Sequence, residues 1–584
     1  MKTEGSFGSD LVVDLMKLYD IEYAAINPGA SYRGIQESIV NYGGNKSPEI
    51  ITCCHESIAV GIAHGYALAK KKPMAAICHD VVGLQHASLA INNAWNCRTP
   101  VMILGGTGPM DAKKRRPWID WLHTALVQGN AVRDYVKWDD QPASIEAFPE
   151  SFARAYKLCM TKPHGPVYLC YDSDLQERAI EQEIPLPDKE RLAPPTPIQA
   201  PGAAIEEAAN LLVSARNPVI IADRMGYAPE ARASLVQLAE LLCVPVIDTD
   251  GAFNFPNDHP LDLTGCGDAL LREADLVLGL EVYDMAMQIM EVNKKTGLPE
   301  YKIPESAKLI NVTLEDLMVS KWLCDYGPLL PLDMAVCADT DVFLPALLAA
   351  CKRLVQNDPA KAERAERAQK LAGIKEKAKA EWLATKDKAW DSTPISPARI
   401  AAELWAVVKG RDWTLINKTL GGLGNWTRRL WEWKEPEQIM RTAGDAGLGV
   451  GLAYAAGVAL AYRGTDRLCV NLQTDGDLNF IPATLWTLAH HNIPLLTVMD
   501  NNRAYNNSLR HAQTIAKKRN RSEETIGIGT RFTNPEIDYA QLANSYGVMG
   551  IGPIKDPGEL RGAFEKAVGH IVTNKAPVLV DIHT

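Results

Sequence analysis

Two short stretches in the last third of the chain carry residue types that can bind a hard cation: "VNLQTDGDLNF", which holds Asp475, and "LLTVMDNNRAYNN", which holds Asn502. Each grows out of an apolar run, "RLCVNLQ" or "PLLTVM", of the length expected for a buried parallel strand. Between them "FIPATLWTLAHH" has the length and spacing of a crossover helix, so the three segments read as a strand–helix–strand unit. Asp475 and Asn502 then sit just past the carboxyl ends of parallel strands, the edge at which open α/β sheets bind their ligands. If the two strands are neighbours they lie about 5 Å apart, and a carboxylate and an amide oxygen can share one cation.

The elements that must position this pair belong to a rhythm that runs along the chain. From about residue 8 to 175, "YAAINPG", "EIITCCH", "MAAICH", "PVMILGG" and "GPVYLCYD" are short apolar runs that end in polar or glycine-rich turns and alternate with helix-like segments. The proline-rich "IPLPDKERLAPPTPIQAPG" opens a second alternating region, with "NPVIIAD", "VPVIDTD", "ADLVLGL" and "KLINVT" as strands. "NDPAKAERAERAQKLAGIKEKAKAEWLATKDKAW" is dense in alanine and in charges of both signs and reads as a solvated helical linker. A third region starts near Ser396 and contains the Asp475–Asn502 unit. The expected class is α/β, with three doubly wound parallel-sheet domains whose first and third members form a pseudo-symmetric pair. The expected divisions are 1–185, 186–352, a linker over 353–394, and 395–584.

Composition narrows the function. The chain has 584 residues, 47% hydrophobic and 23% charged, enough for three or four domains rather than one enlarged core. A net charge of −10 argues against nucleic acid or a membrane surface as partner and leaves a small molecule. The N-terminus has no basic region followed by an apolar core, and no apolar run reaches the ~18 residues of a membrane span, so the reading is a cytoplasmic protein. Twelve cysteines without a CxxC pair, several in apolar runs (Cys53, Cys78, Cys469), read as buried thiols.

"INPGAS", "HESIAVGIAHGYA", "NNAWNCRTPV", "YVKWDDQPAS", "KPHGPVYL", "AGLGVGLAYAAG" and the span from "TDGDLNF" to "DNNRAY" together resemble the thiamine diphosphate-dependent enzymes of the pyruvate decarboxylase and acetohydroxyacid synthase type, with benzoylformate decarboxylase the nearest likeness. The family's signature is Gly-Asp-Gly followed at a set distance by Asn-Asn. The resemblance implies that Asp475, Asn502 and the backbone carbonyl of Ala504 hold Mg²⁺. It also implies that the amides of Gly476 and Asp477 meet the diphosphate at a helix start. Thr474 stands where the family has its first glycine, which reduces backbone freedom there.

A glutamate in a first helical turn, such as Glu56, ordinarily serves the helix dipole. The resemblance gives it a further task, a hydrogen bond to the aminopyrimidine ring that activates the cofactor. By the same likeness the carbonyl of Ala446 accepts from the cofactor's exocyclic amine and Leu448 wedges beneath it. A lone histidine such as His79, after "MAAIC", is commonly structural, but its match to an active-site histidine of benzoylformate decarboxylase implies that it relays protons near neutral pH. The active-site serine of benzoylformate decarboxylase falls on Ala30, its second histidine near Ala286, and Lys418 stands close to one of its glutamates, so the substrate pocket differs. In this family the residues matching Glu56 and Asp475 face each other across two subunits, which implies a homodimer or homotetramer. The basic segment with Arg510, His511, Lys517, Lys518, Arg519 and Arg521 has the composition of a solvated face, yet it leaves the catalytic edge and is a candidate for holding a carboxylate or phosphate on a substrate.

The activity this implies is thiamine diphosphate- and Mg²⁺-dependent cleavage of a carbon–carbon bond beside a carbonyl, first of all non-oxidative decarboxylation of a 2-oxo acid. Carboligation and 2-hydroxyacyl-CoA cleavage are the enzymatic alternatives, and a degenerate cofactor-binding subunit, motivated by Thr474, is the non-enzymatic one. Some relatives hold FAD or ADP in the middle domain, but "NPVIIADRMGYAPEA" carries no G-x-G-x-x-G, and neither nucleotide is expected here.

Overall fold

The computed structural model describes residues 2–225, 229–249, 252–293, 296–318, 329–357, 360–417, 422–441 and 447–584. It divides into two compact units, one of Met1–Pro194, Ala389–Leu430 and Asp445–Thr584, the other of Pro195–Lys388 and Trp431–Gly444.

In the first unit, β1 (Tyr23–Ile26), β2 (Glu49–Thr52), β3 (Ala75–Cys78), β4 (Met102–Thr107), β5 (Asp139–Asp140) and β6 (Val167–Asp172) form a parallel sheet in the order β2–β1–β3–β4–β6–β5. The central strands β3, β4 and β6 are buried along their whole length, which is why they read as continuous apolar runs rather than alternating ones. The direction of strand addition reverses between β1 and β3, and this opens a crevice at their carboxyl ends.

The second unit contains β7 (Pro218–Ala222), β8 (Val246–Asp248), β9 (Leu276–Leu280), an antiparallel pair β10 (Met290–Val292) and β11 (Pro299–Tyr301), then β12 (Lys308–Val312) and β13 (Met334–Val336). Its main sheet is parallel, ordered β13–β12–β9–β7–β8. The alanine- and charge-rich stretch is a helix over Lys361–Lys388 that buries Arg364 and Leu371 and is otherwise exposed or half-exposed.

The remaining strands are β14 (Trp413–Asn417), β15 (Ile439–Arg441), β16 (Leu468–Thr474), β17 (Leu496–Asn501), β18 (Met549–Ile554) and β19 (Val578–His583). The parallel order β14–β16–β17–β19–β18 repeats β1–β3–β4–β6–β5 strand for strand. The protein is therefore α/β with three doubly wound parallel sheets, the first and third built alike.

Those two sheets are locked together inside the first unit by one helix pair, Glu56–Lys70 against Gly451–Ala461. "GIAHG" in one and "GLAYAAG" in the other leave room for backbone on backbone. A Cβ on Gly65 would overlap the carbonyl oxygen of Tyr454, one on Gly457 the carbonyl oxygen of Ile62, and one on Gly61 would come within 2.7 Å of the Cβ of Ala453. Beside this crossing the Thr52 N–H donates to Nε2 of His491 at 2.8 Å. Burial pushes His491 down to about 4, so it remains a neutral acceptor at physiological pH.

Gly65→Ala is expected to push the two helices apart and destabilise the protein by about 1–3 kcal/mol. Gly373→Ala, on the exposed face of the Lys361–Lys388 helix with nothing within 4 Å of the added methyl, is expected to stabilise that helix by up to about 1 kcal/mol. Urea unfolding of both variants beside the parent checks the pair; equal midpoints for parent and Gly65→Ala would refute the close-contact account.

Candidate active site

At the carboxyl edge of the third sheet, β16 and β17 are parallel neighbours with Thr474 opposite Asp500. Asp475 opens a short helix, Asp475–Leu478, and is fully buried. Its Oδ2 accepts the Ala504 N–H at 3.2 Å, and the same N–H reaches Oδ1 of Asn502 at 3.1 Å. One amide shared by two oxygens means that the carboxylate and the side-chain amide converge on one point. The turn that achieves this places Arg503 in the left-handed region (φ 57°), which returns the backbone of Ala504 toward Asp475 and into a bridge with Arg531. Burial pushes Asp475 up to about 6, against the lowering effect of the Gly476, Ala504 and Arg503 amides. Two oxygen donors meeting beside a carboxylate that is costly to leave charged and unpaired fit a small oxygen-preferring divalent cation.

The pair opens on a cavity of about 870 Å³ that Leu448, Gly476, Ala504, Arg503, Arg510 and Arg531 also line. Thr474 adopts φ −100°, ψ 149°, an extended conformation open to any residue, so the loss of the family's glycine carries no backbone penalty and the expected restriction is absent. Gly476 is required for a different reason: a Cβ there would lie 2.8 Å from the Tyr505 ring. Its N–H donates to Oδ1 of Asp475 at 2.8 Å, where the carboxylate folds back over its own helix start. Asp477 carries a structural task that the sequence left to its amide alone. Its buried carboxylate accepts from the Gly449 N–H at 2.7 Å, the Gly451 N–H at 3.0 Å and Gln473 Nε2 at 2.8 Å, tying the glycine turn around Leu448 to the end of β16. Gly449, at φ 112°, is the residue that makes this turn possible. Ala446 and Lys418 lie outside the described residues. Of the basic segment, Arg510 lines the cavity, while Lys517 lies at the far end of the helix Asn506–Lys518 and pairs with Glu523 at 3.6 Å.

A second constellation occupies the matching edge of the first sheet. Glu56 begins the helix that His55 caps by accepting the Ser57 N–H at 3.1 Å. Its carboxylate is buried, with Oε2 3.1 Å from Nδ1 of His86, whose ring stacks on His55. A Cβ on Gly83 would lie 2.7 Å from Oε1 of Glu56 and 2.9 Å from the Cβ of His79, so this glycine lets the two side chains sit side by side. Gly29 does the same for the His79 ring, which a Cβ would approach to 2.6 Å.

The structure supplies partners for His79 that sequence reasoning missed. Ser31, one residue beyond the expected Ala30, places Oγ 2.9 Å from Nδ1 of His79, and His123 places Nδ1 3.3 Å from its Nε2. Ala286 belongs to the short helix Met285–Ile289 of the other unit. Nothing local in "WIDWLHTALV" marks His123; only the fold brings it to the end of β3. Glu56 and His79 do not line the cavity beside Asp475.

Comparison with known proteins agrees with this geometry. Three family models match in chain order: the N-terminal thiamine pyrophosphate-binding domain of thiamine pyrophosphate enzymes over residues 7–129, their central domain over 205–347, and their C-terminal thiamine pyrophosphate-binding domain over 419–582. The chain is 24% identical over 546 residues to a benzoylformate decarboxylase of Pseudomonas aeruginosa, covering 91% of this chain and 90% of that protein. It is 24% identical over 530 residues to a probable acetolactate synthase large subunit of Methanococcus aeolicus, covering 88% and 82%. A crystal structure of benzoylformate decarboxylase from Polynucleobacter necessarius matches the fold with a TM-score of 0.76 at 20% identity, over 99% of both chains. Among the described residues no helix is long and apolar enough to cross a membrane. Three domain matches in the order of the three sheets show that the chain belongs to the thiamine pyrophosphate-dependent enzymes, in the family of decarboxylases and acetolactate synthases.

Proposed function

We propose that the chain is a Mg²⁺-dependent thiamine diphosphate enzyme that decarboxylates a 2-oxo acid without net oxidation. The observation that carries this reading is the convergence of Asp475 Oδ2 and Asn502 Oδ1 on the Ala504 amide at the mouth of the large cavity. When bound, thiamine diphosphate supplies the nucleophilic carbon and the electron sink that carbon–carbon cleavage needs. Asp475, Asn502 and the Ala504 carbonyl would hold Mg²⁺, and Leu448 lines the cavity wall. The buried Glu56 carboxyl would hold or release a proton beside the aminopyrimidine ring. His79, its ring fixed at Nδ1 by Ser31, holds at Nε2 a proton that the product takes up.

That the cavity beside Asp475 includes neither Glu56 nor His79 supports the reading in which the complete site is built from the third sheet of one copy and the first sheet of a second, in a homodimer or homotetramer. A benzoylformate decarboxylase among the relatives supports decarboxylation. The acetolactate synthase relative, matched at the same identity, supports a second reading in which another carbonyl compound, rather than a proton, captures the product. No flavin is required, since neither reading contains a net redox step, and neither flavin nor ADP is assigned to the middle domain, whose "NPVIIADRMGYAPEA" lacks the G-x-G-x-x-G of a close pyrophosphate contact.

Cofactor loading is expected to follow the charge of Asp475. Its affinity for Mg²⁺ is present above pH 6 and falls as pH drops through about 6, where the carboxylate takes up a proton. Titration of tryptophan fluorescence with thiamine diphosphate and Mg²⁺ from pH 5 to 8 checks this: Asp475→Asn should lose both the tight binding and its fall in this window, while Asp475→Ala should lose Mg²⁺-dependent binding with the fold intact. Tight binding by Asp475→Ala would end the assignment. Glu56→Gln keeps a hydrogen-bonding group but not an exchangeable acid proton, so it should bind cofactor and lose about 10²–10⁴-fold in turnover. A panel of 2-oxo acids and 2-hydroxyacyl thioesters, assayed with thiamine diphosphate and Mg²⁺ alone, tests the reaction. Carbon dioxide and aldehyde release supports decarboxylation, condensation products support carboligation, and activity that requires added flavin refutes the flavin-free account.

A further inference from the structure

We propose that Arg510 and Arg531 hold a second anionic group of the substrate, a carboxylate or phosphonate at the end away from the reacting carbonyl. This deepens the decarboxylase assignment and rests on it: the preferred 2-oxo acid carries two negative charges. Both arginines line the cavity beside Asp475. At its inner end Asp475 is fully buried and Ala504 is 7% exposed, whereas Arg510 and Arg531 are exposed and form a basic rim. Neither guanidinium has an ion-pair partner or a hydrogen-bond acceptor among the described residues.

The backbone brings both residues to this edge. The Tyr505 N–H donates to the Thr530 carbonyl at 2.8 Å and the Phe532 N–H to the Arg503 carbonyl at 2.7 Å, so Arg531 stands opposite Ala504. Arg510 lies just over one turn into the helix that starts at Asn506. Gly527 makes room for the Arg531 side chain: a Cβ there would lie 2.5 Å from its Nε, while the Gly527 backbone is not left-handed and has no need of glycine for itself. The acid nearest in charge to Arg510 is Asp500; burial pushes it up, and the Thr584 hydroxyl and the Arg510 charge oppose that without an ion pair forming. From 503 to 533 the chain carries seven arginines and lysines against two glutamates, in a protein of net charge −10, and such a local field concentrates anions. The planar fork of a guanidinium matches a carboxylate or phosphonate through parallel hydrogen bonds. The cofactor's diphosphate is the other anion within reach, but its charge is answered by the cation at buried Asp475, whereas the substrate enters and leaves over the rim.

Two measurements on the full protein saturated with Mg²⁺ and thiamine diphosphate test this. In the first, without turnover, glutarate and pentanoate are titrated calorimetrically. Glutarate is expected to bind at least about tenfold tighter, a margin that falls to about twofold or less in Arg510→Ala and in Arg531→Ala and is largely kept in Arg531→Lys. In the second, kcat and KM for 2-oxoglutarate and 3-phosphonopyruvate are compared with those for 2-oxopentanoate and 2-oxobutanoate, their counterparts without the terminal anion. The preference for the doubly charged acids is expected to lie in KM and to shrink in the same variants. Both side chains are exposed, so the variants keep the fold. Equal binding of glutarate and pentanoate by the parent, or a margin that survives both alanine variants, would overturn the proposal. So would an affinity for thiamine diphosphate weakened about tenfold in either variant, since the cofactor's diphosphate would then be the partner. A parent that binds glutarate selectively but turns over no 2-oxo acid supports the anion site and removes the decarboxylase assignment alone.

Discussion

The contact on which the active regions depend is the crossing of the helices Glu56–Lys70 and Gly451–Ala461. Three glycines, Gly61, Gly65 and Gly457, allow backbone to meet backbone there, and both helices begin beside candidate site residues. Glu56 is the first residue of one; Leu448 and the glycine turn held by Asp477 lead into the other. Small residues at the crossing are thus not a weakness in the core. They set the distance between two sheets whose edges must each be positioned to a fraction of an ångström.

The second constraint is electrostatic. Adjacent strands of the third sheet carry buried Asp475 after β16, half-buried Asp500 on β17 and buried Asp581 on β19, all pushed upward by desolvation. Each is partly answered by hydrogen bonds, Asp475 from backbone amides, Asp500 from the Thr584 hydroxyl at 2.5 Å, Asp581 from Asn501 Nδ2 at 2.9 Å. Hydrogen bonds reduce the cost of these charges without cancelling it.

Much of this was legible in the sequence because buried parallel strands write themselves as uninterrupted apolar runs. "AAIC", "MILGGT", "VYLCYD", "LVLGL" and "LCVNLQT" needed no partner information to be read as strands, and the residues after them then had to lie at the ligand-binding edge. Where exposure enters, the signal fades. "MGIGPI", half open to solvent with two glycines and a proline, and the exposed pair "MEV" and "PEY" carry no apolar run and were not anticipated.

The sequence by itself determined the α/β class, the repeated rhythm of the first and third regions, and the placement of Asp475, Asn502, Glu56 and His79 at strand ends, since each follows from residue type and local spacing. Only the tertiary structure decided which side chains meet. Ser31 rather than Ala30 faces His79, His123 arrives from 44 positions away, Thr474 takes an extended conformation that needs no glycine, and the Asp477 side chain ties a turn 28 positions upstream. Spacing along the chain fixes direction and face within one element, whereas contacts across elements depend on sheet order, helix crossing and a single residue of register, none of which leaves a local mark.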